Sequence, residues 1–115
     1  MDENIVLTEA VYYILLSLYS PLHGYGIMQN AESLSHGRVR LAAGTLYGAI
    51  NVMMEKGWIR SIPGEAGSRK KEYTITDLGR KTAENELERL RELVENGEKI
   101  ISKARIYGNG NGGRL

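Results

Sequence analysis

The 115-residue sequence predicts a mainly α fold with a small β component (α+β), a winged helix-turn-helix carrying a long C-terminal dimerisation helix. Three observations predict it. Residues 8–56 hold three successive segments whose apolar groups recur at helical spacing. Two β-prone runs, WIRSI and RKKEYTIT, flank the turn-rich loop PGEAGS. A charged segment then places Ala83, Leu87, Leu90, Val94, Gly97, Ile101 and Ala104 at alternating spacings of four and three, the rhythm of a helix seam. Three helices, a hairpin and a long helix is the chain order of a winged helix, so we divide the chain into a winged helix-turn-helix over 1–76, a dimerisation helix over 77–106 and a flexible Gly/Asn-rich tail over 107–115.

The first helix starts at Thr8, whose side chain suits an N-cap, has Glu9 in its first turn, and stops at Ser20-Pro21 because proline disfavours continuation. Val11, Leu15 and Leu18 form one stripe and Tyr12, Leu16 and Tyr19 a second, so the helix is apolar nearly all round. Such a helix is covered on more than one side. The second helix, over 25–35, repeats Ile27/Met28, Ala31 and Leu34 against Gln29, Asn30, Glu32 and Ser33, and Gly37 supplies its stop. The third runs over 43–56 with Leu46, Ile50 and Met53 inward and Gly57 at its end. Trp58 then opens the first strand and packs against the third helix. Thr76 and Asp77 begin the last helix, in which Gly97 breaks an otherwise good stripe at a cost of about 1 kcal/mol relative to Ala.

Composition removes several functions. There is no cysteine, hence no disulfide frame, thiolate metal site or cysteine nucleophile, and His23 and His36 are the only imidazoles. No apolar run is long enough to cross a bilayer, and MDENIVLTE lacks a basic n-region, so a cytoplasmic protein without metal, cofactor or catalytic residue is expected. The net charge of +1 hides a segregation: residues 23–81 hold nine Lys/Arg against five Asp/Glu, and the rest hold six against nine. Surface potential follows charges within a Debye length of about 10 Å, so the middle of the chain presents a basic face.

With Leu46, Ile50 and Met53 inward, the outer face of the third helix shows Ala43, Gly44, Thr45, Tyr47, Gly48 and Asn51. Small groups there let the backbone approach double-stranded DNA, where the free N–H groups of a helix N-terminus favour phosphate. Thr45 and Tyr47 supply hydroxyls, and Asn51 has the paired donor and acceptor that suit adenine. Arg69, Lys70 and Lys71 follow the hairpin tip with side chains long enough to reach the phosphate backbone. A homodimer would cover the first helix and the heptad stripe together, through Val11, Leu15, Tyr12 and Tyr19 with Leu87, Leu90, Val94 and Ile101. A small hydrophobic or aromatic effector would find a pocket near Tyr12, Tyr13, Leu90 and Val94. Two other readings stay open: a winged-helix protein-interaction module, favoured by Val52, Met54 and the low net charge, and an aromatic-pocket ligand carrier.

HGYGI at 23–27, GTLYGAI at 44–50, GWI at 57–59 and RKKEYTITDLG at 69–79 resemble, in order, the successive signatures of the PadR family of bacterial transcriptional regulators. The resemblance spans residues 7–106 and fits the short subfamily with one C-terminal helix. It implies a repressor that binds a palindromic operator and is released by a small effector, and it implies no enzymatic activity. It also implies a backbone contact by Tyr25, a reading helix over 43–56 with Thr45, Tyr47 and Gly48 facing DNA, and a wing over 64–71. Position 48 is often proline in the family and 51–52 often a basic pair, here Asn51-Val52, which shifts phosphate affinity toward the wing.

Overall fold

The computed structural model describes residues 5–64 and 70–107. Helix α1, Glu9–Ser17, begins where the Thr8 hydroxyl accepts from the Val11 N–H at 3.2 Å. It ends three residues earlier than Ser20, because the Leu18 carbonyl accepts from the Ile75 N–H at 2.8 Å and so leaves the helical ladder for a strand. Helix α2, Gly24–Leu34, is capped by His23, whose Nδ1 accepts from the Gly26 N–H at 3.2 Å. It stops through His36 (φ 53°) and Gly37 (φ 84°), with the Gly37 N–H donating back to the Glu32 carbonyl at 2.8 Å. Helix α3, Ala43–Glu55, closes at Lys56 before Gly57 (φ 78°).

Strands β1, Ile59–Ile62, and β2, Glu72–Ile75, pair antiparallel with Ile59 opposite Ile75 and Ser61 opposite Tyr73. Leu22, just before α2, pairs with Tyr73 in both directions at 3.1 and 2.8 Å, tying the base of the hairpin to the start of α2. Tyr107, expected to open the tail over 107–115, is the last residue of α4; the expected mobility of the hairpin tip over 65–69 and of the rest of that tail, and the predicted site residue Arg69, lie outside the described residues. Helix α4, Asp77–Tyr107, is about 46 Å long at 1.5 Å per residue. Thr76 caps it, accepting from the Gly79 N–H at 3.0 Å.

The core lies where α1, α2, α3, the hairpin and the first part of α4 meet: Ile14, Leu15, Leu18, Ile27, Leu46, Ile50 and Met53 are closed off from solvent, and Trp58, Tyr73, Ile75 and Ala83 cover them. The predicted inner face of α3 is the observed one. One predicted assignment is corrected: Leu15 is wholly buried inside the protomer, so it presents nothing to a partner. The stripe Leu15–Leu18 is used up in this core, which leaves the other side of α1 for further contacts. Glu86 is a buried carboxylate that accepts from the Leu7 N–H at 3.4 Å and from Arg89 at 3.0 and 2.6 Å. The Arg89 guanidinium holds its carboxyl below the usual carboxylate range despite burial, and the pair anchors the N-terminal segment to α4.

Beyond this anchor α4 leaves the core. Leu87, Val94 and Ile101 are 39%, 58% and 54% exposed, and Leu93, Ile100 and Ile106 are exposed as well. Among the described residues no helix is long and apolar enough to cross a membrane.

Candidate nucleic-acid interface

The first turn of α3 starts without a side-chain cap: Ala42 has an extended backbone and no group that can bond the N–H donors which follow it. Those donors are therefore open to an outside acceptor, and the positive end of the helix dipole lies with them. Ala43, Gly44, Thr45, Tyr47, Gly48 and Asn51 are all exposed, as their spacing predicts. A Cβ built on Gly44 or Gly48 would meet nothing within 4 Å. Neither glycine serves packing inside the protomer, so what their small size provides is access.

Beside this shoulder is a cleft of about 410 Å³ lined by His23, Gly24, Tyr25, Tyr47, Lys70, Lys71 and Tyr73. Three elements converge on it: the start of α2, the first turns of α3 and the approach to β2. The structure thus brings together Tyr25, Tyr47, Lys70 and Lys71, which are far apart in sequence. Tyr25 and Tyr47 are 61% and 44% exposed, so both phenols are available to solvent. Tyr73 is buried, and burial, with a smaller contribution from the nearby Tyr47, pushes its hydroxyl up from the usual tyrosine value. It remains a neutral O–H at physiological pH, able to donate toward an anion. The chemistry of the cleft is that of hydroxyls and ammonium groups around one concavity, which suits a phosphate diester.

Sequence reasoning missed His23, Gly24 and Tyr73 in this cleft. The HGYGI motif holds the first two, but only pairing of Leu22 with Tyr73 brings the third alongside.

On the other flank of α3, a groove of about 400 Å³ is lined by Ile5, Val6, Gly48, Val52, Trp58 and their neighbours. Among the described residues Lys56 is the one charged residue along it, with its Nζ 5.5 Å from the centre of the Trp58 ring.

The residues expected at a subunit surface divide. Tyr19 is exposed under the Arg80 guanidinium, 4.9 Å from its ring centre. Val11 and Tyr12 are half-buried against the core, and Leu87, Leu90 and Val94 line an open cleft of about 290 Å³ with Arg91 and Glu95. Of the expected effector residues, Leu90 and Val94 belong to that cleft, whereas Tyr12 and Tyr13, with ring centres 6.3 Å apart, lie outside its lining.

The model of the transcriptional regulator PadR-like family matches residues 13–85, which run from within α1 into the first turns of α4. The chain belongs to the PadR-like family of transcriptional regulators. As a PadR-like protein it is a regulator of transcription and not an enzyme. Solved structures agree. A PadR family transcriptional regulator from Eggerthella lenta is 25% identical, with 79% of this chain and 80% of that one covered and a TM-score of 0.65. A transcriptional regulator from Clostridium thermocellum is 26% identical, with 82% and 89% covered and a TM-score of 0.59. Bacillus subtilis PadR, solved in complex with operator DNA, is 25% identical; 67% of this chain matches 45% of that longer one, with a TM-score of 0.56. No curated protein matches the sequence. The PadR-like match covers both sides of the cleft, from Tyr25 through Tyr73.

Proposed function

We propose that this PadR-like regulator is a homodimeric repressor that binds a two-fold operator in double-stranded DNA and is released by a small apolar or aromatic effector. The observation that carries the reading is the uncapped, bare first turn of α3 beside the cleft of Tyr25, Tyr47, Lys70 and Lys71. Ala43, Gly44 and Thr45 enter the major groove, Asn51 reads a base edge about two turns further on, and Tyr25, Tyr47 and the wing cations, with Arg69, hold the sugar–phosphate backbone beside them. In a two-fold dimer joined along α4, two such helices meet half-sites roughly 34 Å apart. The effector would enter where Leu90 and Val94 of the two subunits face each other, with Tyr12 and Tyr13 at the rim.

Fluorescence anisotropy with the promoter upstream of its own gene tests this reading. Tyr47→Ala is expected to weaken operator binding about 10-fold or more, since a hydrogen bond to a charged phosphate is lost, while the dimer persists in sedimentation. Affinity equal to the parent's would remove Tyr47 from the interface. Lys71→Ala is expected to weaken binding equally on all sequences and to lower the slope of log K against log salt by about 0.9. An unchanged slope would place Lys71 away from phosphate.

A second reading, docking of a protein partner on α3, is favoured by the apolar groove at Gly48 and Val52. It predicts weak DNA binding with little sequence preference.

A further inference from the structure

Gly24 is the first residue of α2, and it is buried although helix starts usually lie open. Its backbone does not require glycine: unlike Gly37 and Gly57, it does not adopt the left-handed conformation. The space around it does. A Cβ at this position would collide with the phenol of Tyr47, first with Oη and then with Cζ and Cε1, and those are the nearest atoms to it. The far end of a flexible side chain can swing away, so a methyl group here would displace Tyr47 and leave the helices where they are.

The other side of the joint is held firmly. Leu22 exchanges two backbone hydrogen bonds with Tyr73, and the His23 ring caps the Gly26 N–H, so the start of α2 is fixed to the wing strand β2 before Tyr47 is placed on it. We infer that Gly24 is a positioning residue: its bare Cα seats the Tyr47 phenol against α2, and so fixes the Tyr47 hydroxyl at a set distance from the wing lysines. Gly24 touches no DNA in this scheme and acts through Tyr47 alone. The inference rests on the DNA-binding reading above, in which Tyr47 holds a phosphate.

A double-mutant cycle in operator affinity separates positioning from a general structural role. Gly24→Ala is expected to weaken binding about 10-fold in the parent and less than about 2-fold in the Tyr47→Ala background, since there is then no phenol to displace. Tyr47→Phe, which leaves the ring seated but removes the hydroxyl, is expected to match Gly24→Ala and needs no change at Gly24. In the free protein, the ring resonances of Tyr47 are expected to shift in Gly24→Ala. Equal losses from Gly24→Ala in both backgrounds would overturn the inference, as would parental affinity in Tyr47→Phe or unmoved Tyr47 resonances. Failure of the parent to bind any operator is a different result. It would remove the interface itself, and the inference with it, whatever the resonances do.

Discussion

In the homodimer proposed above, a Leu90→Arg variant is expected to sediment as a monomer where the parent is expected to sediment as a dimer, and to lose operator affinity by about 10²-fold or more as the two half-sites cease to be held together. The reason lies in how α4 is covered. Its first turns pack against α1 and β2, and Ala83 is buried there. From Leu87 onward the described residues give the stripe little cover: Leu90 is half-buried, and Val94 and Ile101 are more than half exposed. A lone helix of this kind draws its stability from tertiary packing of its apolar face, so the stripe calls for a partner. In a two-fold arrangement position 90 occurs on both sides of the seam. Each dimer would therefore bury two guanidinium groups among Leu87 and Val94, beside the existing Arg91, with a desolvation cost of several kcal/mol. Leu90 is only half-buried in the protomer, so helix content by circular dichroism should stay near the parent's. A variant that remains dimeric would move the subunit surface elsewhere on the molecule.

What could be read from the sequence was local or periodic. Leu46, Ile50 and Met53 share a face by spacing alone, Thr8 and Thr76 cap because of their hydroxyls, and Gly37 and Gly57 take the left-handed conformation that ends a helix. The bare shoulder of α3 followed from the same periodicity. The features that escaped depend on contacts between distant segments. A helix apolar all round has two sides to cover, and spacing does not say which one the protomer takes; Leu15 went to the core. The early end of α1 depends on Ile75, far along the chain, whose N–H takes the Leu18 carbonyl. Gly24 and Tyr47 belong to separate motifs, and only the crossing of α2 and α3 shows that one leaves room for the other. Arg69 and the tail, legible as a basic residue and a Gly/Asn run, lie outside the described residues.

Gly79→Ala is expected to lower stability by about 2–3 kcal/mol, or about 10 °C in thermal midpoint for a chain of this size, although helix propensity argues for a gain of about 1 kcal/mol. Gly79 lies in the first turn of α4 and is buried. An added Cβ would run into the Trp58 carbonyl oxygen, with Ile75 Cγ1 close behind. That carbonyl has no freedom to retreat, since it accepts from the Thr76 N–H at 2.9 Å. The Thr76 hydroxyl in turn donates to the Gly57 carbonyl and accepts from the Gly79 N–H. The hairpin and α4 meet at this knot, so strain here opens the wing as well as the helix start. Gly44→Ala is the counterpart with the opposite sign. Nothing lies within 4 Å of its Cβ, so the propensity gain of up to about 1 kcal/mol should appear in thermal unfolding while operator affinity falls. A Gly79→Ala protein that melts at or above the parent would show that the Trp58 carbonyl can yield, and the close approach of α4 to Trp58 and Ile75 would lose its meaning as a constraint.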